Sequence, residues 1–120
     1  MRRYKLTITT AADGSATAYT PRVSGKLNSI HYVKTDFADG VDFTITSEAT
    51  GESLWTESNV NAAKVCNPRA ATHSNAGVAA LYASGGTAVL DRIALASDRV
   101  KIVIAQGGNA KVGTFHVLID

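Results

Sequence analysis

Two β-rich runs near the C-terminal end constrain this chain most. In Val100-Lys101-Ile102-Val103-Ile104-Ala105 apolar side chains recur at every second position, and in the run Val112 to Ile119 the apolar Phe115, Val117 and Ile119 alternate with Thr114, His116 and Leu118. Between the runs lies Gln106-Gly107-Gly108-Asn109. Two such runs about a Gly-Gly step predict a β-hairpin, with Val100, Ile102 and Ile104 facing a core. Segments this apolar are expected to be tied into a sheet, because burial is what removes their surface from water.

The same texture recurs upstream. Tyr4, Leu6 and Ile8 alternate with Lys5, Thr7 and Thr9, and Asp13-Gly14 then predicts a tight turn into Ala16 to Thr20. Pro21 closes that strand, since it has no N–H for a ladder. A third run covers Leu27 to Lys34. Val41, Phe43 and Ile45 alternate with Asp42, Thr44 and Thr46, the pattern of a strand buried on one face. Ser53 to Thr56 holds the single Trp. From Val60 to Gly86 the alternation lapses into Asn, Ser, Gly and Ala, which predicts an extended loop with one short regular piece near Gly77 to Ala83. Long loops of this kind in small domains usually carry function. Short apolar runs resume at Thr87 to Leu90 and Ile93 to Leu95. Seven to nine short strands, joined by connections too short for helical crossovers, make the expected fold all-β: one antiparallel β-sandwich or jelly-roll-like barrel over residues 1–120, with one long irregular loop.

Composition bounds the partners. Twelve Lys and Arg against ten Asp and Glu give a net charge of +2, and no basic run exceeds Arg2 and Arg3. That balance argues against a dedicated nucleic-acid or membrane-surface binder, which needs clustered cations. The single Cys66 excludes an internal disulfide framework. No apolar run matches a signal-peptide core or a bilayer span, so cytosolic synthesis is the expectation.

Candidate chemistry is sparse. Asp36, Asp39 and Asp42 surround Gly40 and could offer carboxylates to a hard cation, but the spacing departs from the EF-hand pattern and suits a turn. His31, His73 and His116 are far apart in sequence, and Cys66 with His73 lacks the surroundings of a nucleophilic pair. No nucleophile elbow or phosphate-cradling glycine motif is present, so neither an enzyme nor a cofactor is expected. An exposed Trp55 or Tyr82 would suit stacking on a sugar. Arg69, Arg92 and Arg99 are either solubilising residues or interface residues, where the planar guanidinium pairs and stacks.

Three stretches carry a likeness. Leu6 to Thr17, Gly40 to Thr46 with Gly51 to Trp55, and Asp98 to Gly108 resemble the phrasing of small β-rich structural proteins of tailed bacteriophages. The resemblance implies a non-enzymatic virion component, foremost a minor capsid or decoration protein. Such a protein binds the outer surface of the major capsid protein and associates with itself as dimer or trimer, without nucleic acid or membrane. It implies assembly in a host cytoplasm and residence on the capsid. A head–tail connector or tail component, or a carbohydrate-binding β-sandwich module, are the alternatives. Under this reading the Val60 to Gly86 stretch is the contact arm, and Asn67, Pro68, Arg69, His73, Asn75 and Tyr82 are the candidate interface residues.

Overall fold

A computed structural model describes residues 1–120 and contains no helix. Eleven strands follow in chain order: β1 (Arg2–Thr9), β2 (Ala16–Tyr19), β3 (Val23–Val33), β4 (Val41–Ser47), β5 (Ser53–Val60), β6 (Lys64–Cys66), β7 (Ala70–Ala71), β8 (Leu90–Asp91), β9 (Ile93–Asp98), β10 (Val100–Ala105) and β11 (Val112–Ile119). Nine of them build two facing antiparallel sheets. Sheet A has the order β1-β11-β3, with β6 and β9 both paired to β3; sheet B has the order β2-β10-β4-β5. Leu27 pairs with both Ile119 and Ile93, and Ile30 with both Val117 and Cys66, so β9 and β6 share the edge of β3 opposite β11. The all-β antiparallel sandwich expected from the strand pattern is therefore the architecture observed.

The path through it differs from the expected one. β10 pairs with β2 and β4, whereas β11 pairs with β1 and β3. The two closing runs are thus not a hairpin: the Gly107-Gly108 connection crosses from one sheet to the other. Asp13-Gly14 does the same between β1 and β2, and 34–40 between β3 and β4. Only β4 and β5 form a hairpin between consecutive strands of the sandwich. Strand alternation cannot separate the two outcomes, because an arch and a hairpin both turn one face of each strand to the core. The polar groups decide it. Gln106, Gly108 and Ala110 all take left-handed backbone angles, which lift the chain out of the plane of sheet B. The arch then stacks on the β1–β2 arch: Gly107 N–H donates to Gly14 C=O (2.9 Å) and Thr10 N–H to Lys111 C=O (2.8 Å). The buried Thr10 hydroxyl donates to Gly108 C=O (2.6 Å) and accepts from Lys111 N–H (2.9 Å). Each loop satisfies backbone groups that the other would leave bare.

The core contains 20 buried apolar residues, and five of the eight aromatic side chains lie among them. Phe43 is the hub. Its ring meets Trp55 edge-on at 4.8 Å and Phe115 edge-on at 5.2 Å, and lies 5.4 Å from Tyr32. These rings come from both sheets, so they clamp the layers together. Phe37 reaches Tyr32 from the β3–β4 arch. Its ring occupies the space over Gly113 where a Cβ would fall, which is why β11 carries Gly within an otherwise bulky run. Gly25 is required for a second reason: with φ +135° it forms the bulge in β3, and a Cβ there would strike the Asp120 carbonyl.

One buried carboxylate holds a corner of the sandwich. Asp98, the last residue of β9, accepts from the Ser47 hydroxyl, from Ala49 N–H (3.0 Å) and from Arg99 N–H (2.7 Å). It thereby ties the β4–β5 turn to the β9–β10 step. The Ser47 hydrogen bond, ahead of the two backbone donors, holds its carboxyl below the ordinary aspartate value.

Candidate functional site

Past its root, where Pro68 is buried and Ala70 still packs against the core, the segment between β6 and β9 leaves the sandwich. It forms an arm in which three extended pieces close on one another. Thr72 N–H donates to Val89 C=O (2.9 Å), Val89 N–H to Ala80 C=O (3.0 Å), and Ala80 N–H to Thr72 C=O (3.0 Å). This ring of backbone bonds sits beyond the β7–β8 pair, where Ala70 faces Asp91 and Ala71 faces Leu90. Two turns cap the arm. At one, Ser74 N–H bonds Val78 C=O and the Ser74 hydroxyl accepts from Ala76 and Val78 N–H; at the other, Gly86 N–H bonds Ala83 C=O. Small residues make the ring possible. Thr72, Ala80, Ala88 and Val89 are half-buried within it, and larger side chains would hold the three backbones apart. The expected long irregular stretch is thus resolved into β6, which belongs to sheet A, and a hydrogen-bonded arm.

What the arm shows to its surroundings is unusual. Residues 70–90 contain no Asp, Glu, Lys or Arg. Tyr82 is 74% exposed, Val78 66%, Leu90 53% and Leu81 43%. Protein surfaces ordinarily carry charges of both signs, and clustered exposed apolar side chains mark contact sites. The molecule measures 49 × 30 × 22 Å, and its radius of gyration of 15.7 Å exceeds the roughly 13–14 Å of a compact chain of this length. The arm projects, and its outer side chains remain unburied.

The six candidate interface residues separate into two groups. His73, Asn75 and Tyr82 lie on the arm and are exposed. Asn67, Pro68 and Arg69 lie at its root. Pro68 is buried, so it seats the arm and does not offer a surface. Arg69 Nη1 donates to the carbonyls of Asn28 (3.1 Å) and Pro68 (2.7 Å), which fastens the outgoing chain to β3. The returning chain is fastened by the ion pair of Arg92 with Asp120. Arg99 is also engaged internally, with Glu48 and over the ring of Tyr19 at 4.2 Å. The residues that best define the arm surface, Val78, Leu81 and Leu90, were not among the candidates. The signal for them was present: a stretch without formal charge yet containing Val, Leu and Tyr.

The remaining sequence candidates are occupied by the fold. Asp36 accepts from Val112 N–H, Asp39 pairs with Lys34, and Asp42 accepts from Asn59 N–H at 2.8 Å. Each braces a loop, and no three potential metal ligands converge anywhere. Cys66 lies on β6 opposite Ile30, packs against the core, and burial pushes its thiol upward. Trp55, only 6% exposed, gives its Nε1–H to Glu57 (3.1 Å) and presents no ring face for a sugar. In comparison with known proteins, the chain matches no family model and no curated protein.

Proposed function

We propose that this protein is a non-enzymatic structural subunit that attaches to a larger assembly through its arm, and that the assembly is a bacteriophage capsid whose outer shell it decorates. The observation that carries the reading is the uncharged, projecting stretch 70–90, with Val78, Leu81, Tyr82 and Leu90 outward on a rigid two-sheet base. Burying apolar side chains of this size contributes about 25 cal/mol per Å², and the absence of charged residues means that no ion is stripped of water on docking. A hydrogen-bonded arm also loses less entropy on binding than a loose loop would. Repetition over a symmetric shell multiplies a modest single contact into firm attachment. The resemblance of Leu6 to Thr17 and Asp98 to Gly108 to phage structural proteins supplies the identity of the shell.

The test uses purified particles of a phage that encodes the chain, with copy number determined by quantitative mass spectrometry. The expected result is a fixed, shell-stoichiometric copy number that falls to background for the double variant Leu81→Ser/Tyr82→Ser. Absence from particles, or a handful of copies confined to the tail axis, would overturn the reading.

A further inference from the structure

The outer face of sheet A gathers cations that are scattered in sequence. The register sets Lys5 on β1 opposite His116 on β11, and His116 opposite His31 on β3. These three side chains form one row across three strands, which Val65 on β6 extends beside His31. In the neighbouring row Arg3 stands opposite Leu118, and its Nη1 lies 3.5 Å from His116 Nδ1. Ser29 stands beside Leu118 in that row, with its Oγ 3.5 Å from His31 Nε2. Thr7, Thr114 and Val33 make the row on the other side.

Nothing in the chain balances this face. β1, β3, β6 and β11 contain no Asp or Glu. The four ion pairs of the molecule use Asp39, Glu57, Asp120 and Glu48, with Lys34, Lys64, Arg92 and Arg99 as partners. Asp98, the only acid on β9, is buried against Ser47. Arg3 and Lys5 stand two residues apart on one face of β1, and a protonated imidazole beside them adds to their mutual repulsion, so the face favours a partner of opposite sign.

We propose that the outer face of sheet A, with Arg3, Lys5, His31 and His116 at its centre, docks a carboxylate-rich protein surface, and that it binds more tightly in mildly acidic solution. A protein partner fits the face better than a nucleic acid does. Arg3, Lys5 and, farther along β3, Lys26 carry permanent charge there, whereas a duplex-binding protein that contacts 6–10 phosphates neutralises about two to three times as many. Val33, Val65 and Leu118 lie between and beside the cations, which suits a flat interface of mixed character. The acid dependence follows from the row itself. Burial, then the charges of Arg3, Lys5 and His31, hold His116 below the ordinary imidazole value. The groups facing it are Arg3 and Lys5 from β1 and His31 from β3; β6 contributes only Val65 to this face. Carboxylates brought against it favour the imidazolium, so docking takes up protons and strengthens as pH falls. This inference does not depend on the arm, and either surface can fail its test without the other.

The probe is poly-L-aspartate, whose side chains stay ionised at pH 5.8, titrated into the full chain at low ionic strength and followed by amide chemical shifts. Shifts are expected at Lys5, Thr7, His31, Thr114 and His116, with binding about two- to fivefold tighter at pH 5.8 than at pH 7.5. Arg3→Glu/Lys5→Glu is expected to abolish binding. His31→Gln/His116→Gln is expected to keep binding at pH 7.5 and lose its pH dependence. Shifts centred on Lys101 of sheet B, binding unaffected by charge reversal, or tighter binding of a single-stranded oligonucleotide of equal charge would each overturn the proposal.

Discussion

The sandwich and the arm are built on opposite terms. In the sandwich, 20 apolar residues are buried and the aromatic cluster of Tyr32, Phe37, Phe43, Trp55 and Phe115 joins both layers. In the arm, backbone hydrogen bonds do the organising, and the larger apolar side chains point outward. A small hydrogen-bonded unit without a core is marginal on its own, so the arm depends on its anchors at Arg69 and Arg92. The buried core resides in one region and the exposed, uncharged apolar surface in the other, and substitutions in the two should therefore have separable effects.

The largest effect is expected from Phe43→Ala. Removing the hub of the aromatic cluster leaves a cavity against Trp55 and Phe115 and should cost about 3–5 kcal/mol by chemical denaturation. A loss under about 1 kcal/mol would mean that the two layers are not held together there. Asp98→Ala comes next, at about 2–3 kcal/mol, because the Ser47 hydroxyl and two backbone N–H groups lose their acceptor. The pH sign follows from the direction of its shift. A carboxyl held below its unfolded value contributes stability above about pH 4, and that contribution is lost as pH falls through the folded value. Denaturation curves from pH 6 to pH 2 should therefore be steeper for the natural protein than for Asp98→Asn. Tyr32→Phe should have the smallest effect and the opposite direction. The Tyr32 hydroxyl is buried without a partner, so its removal should be neutral or should stabilise by up to about 1 kcal/mol. Destabilisation by that variant would place an ordered partner at the hydroxyl.

Much of the sandwich was legible as strand alternation. Val41, Phe43 and Ile45 are buried as their pattern required, and Val100, Ile102 and Ile104 face the core as expected. The connections were not legible in the same way, since period-two alternation is indifferent to whether the next strand lies alongside or across the core. The Gly107-Gly108 step looked like a hairpin because its partner, the Asp13-Gly14 arch, is about 90 residues away in sequence. The arm was marked by turn residues, which drew attention to Asn67 and Pro68 at its root and away from Leu81 and Leu90 on its surface. The basic face was hidden by overall composition: a net charge of +2 says nothing about Arg3, Lys5, His31 and His116 meeting through strand register.

The sandwich holds its own core and should stand without the arm. Ala71 and Leu90 face each other across an antiparallel pair, so Asn-Gly can replace residues 72–89 and close the chain with a two-residue turn. Thermal unfolding of this shortened protein should remain a single cooperative transition within a few degrees of the full chain, about the shift that 1 kcal/mol produces. A collapse of the transition, or a fall of more than about 15 °C, would show instead that the arm is part of what holds the sandwich together.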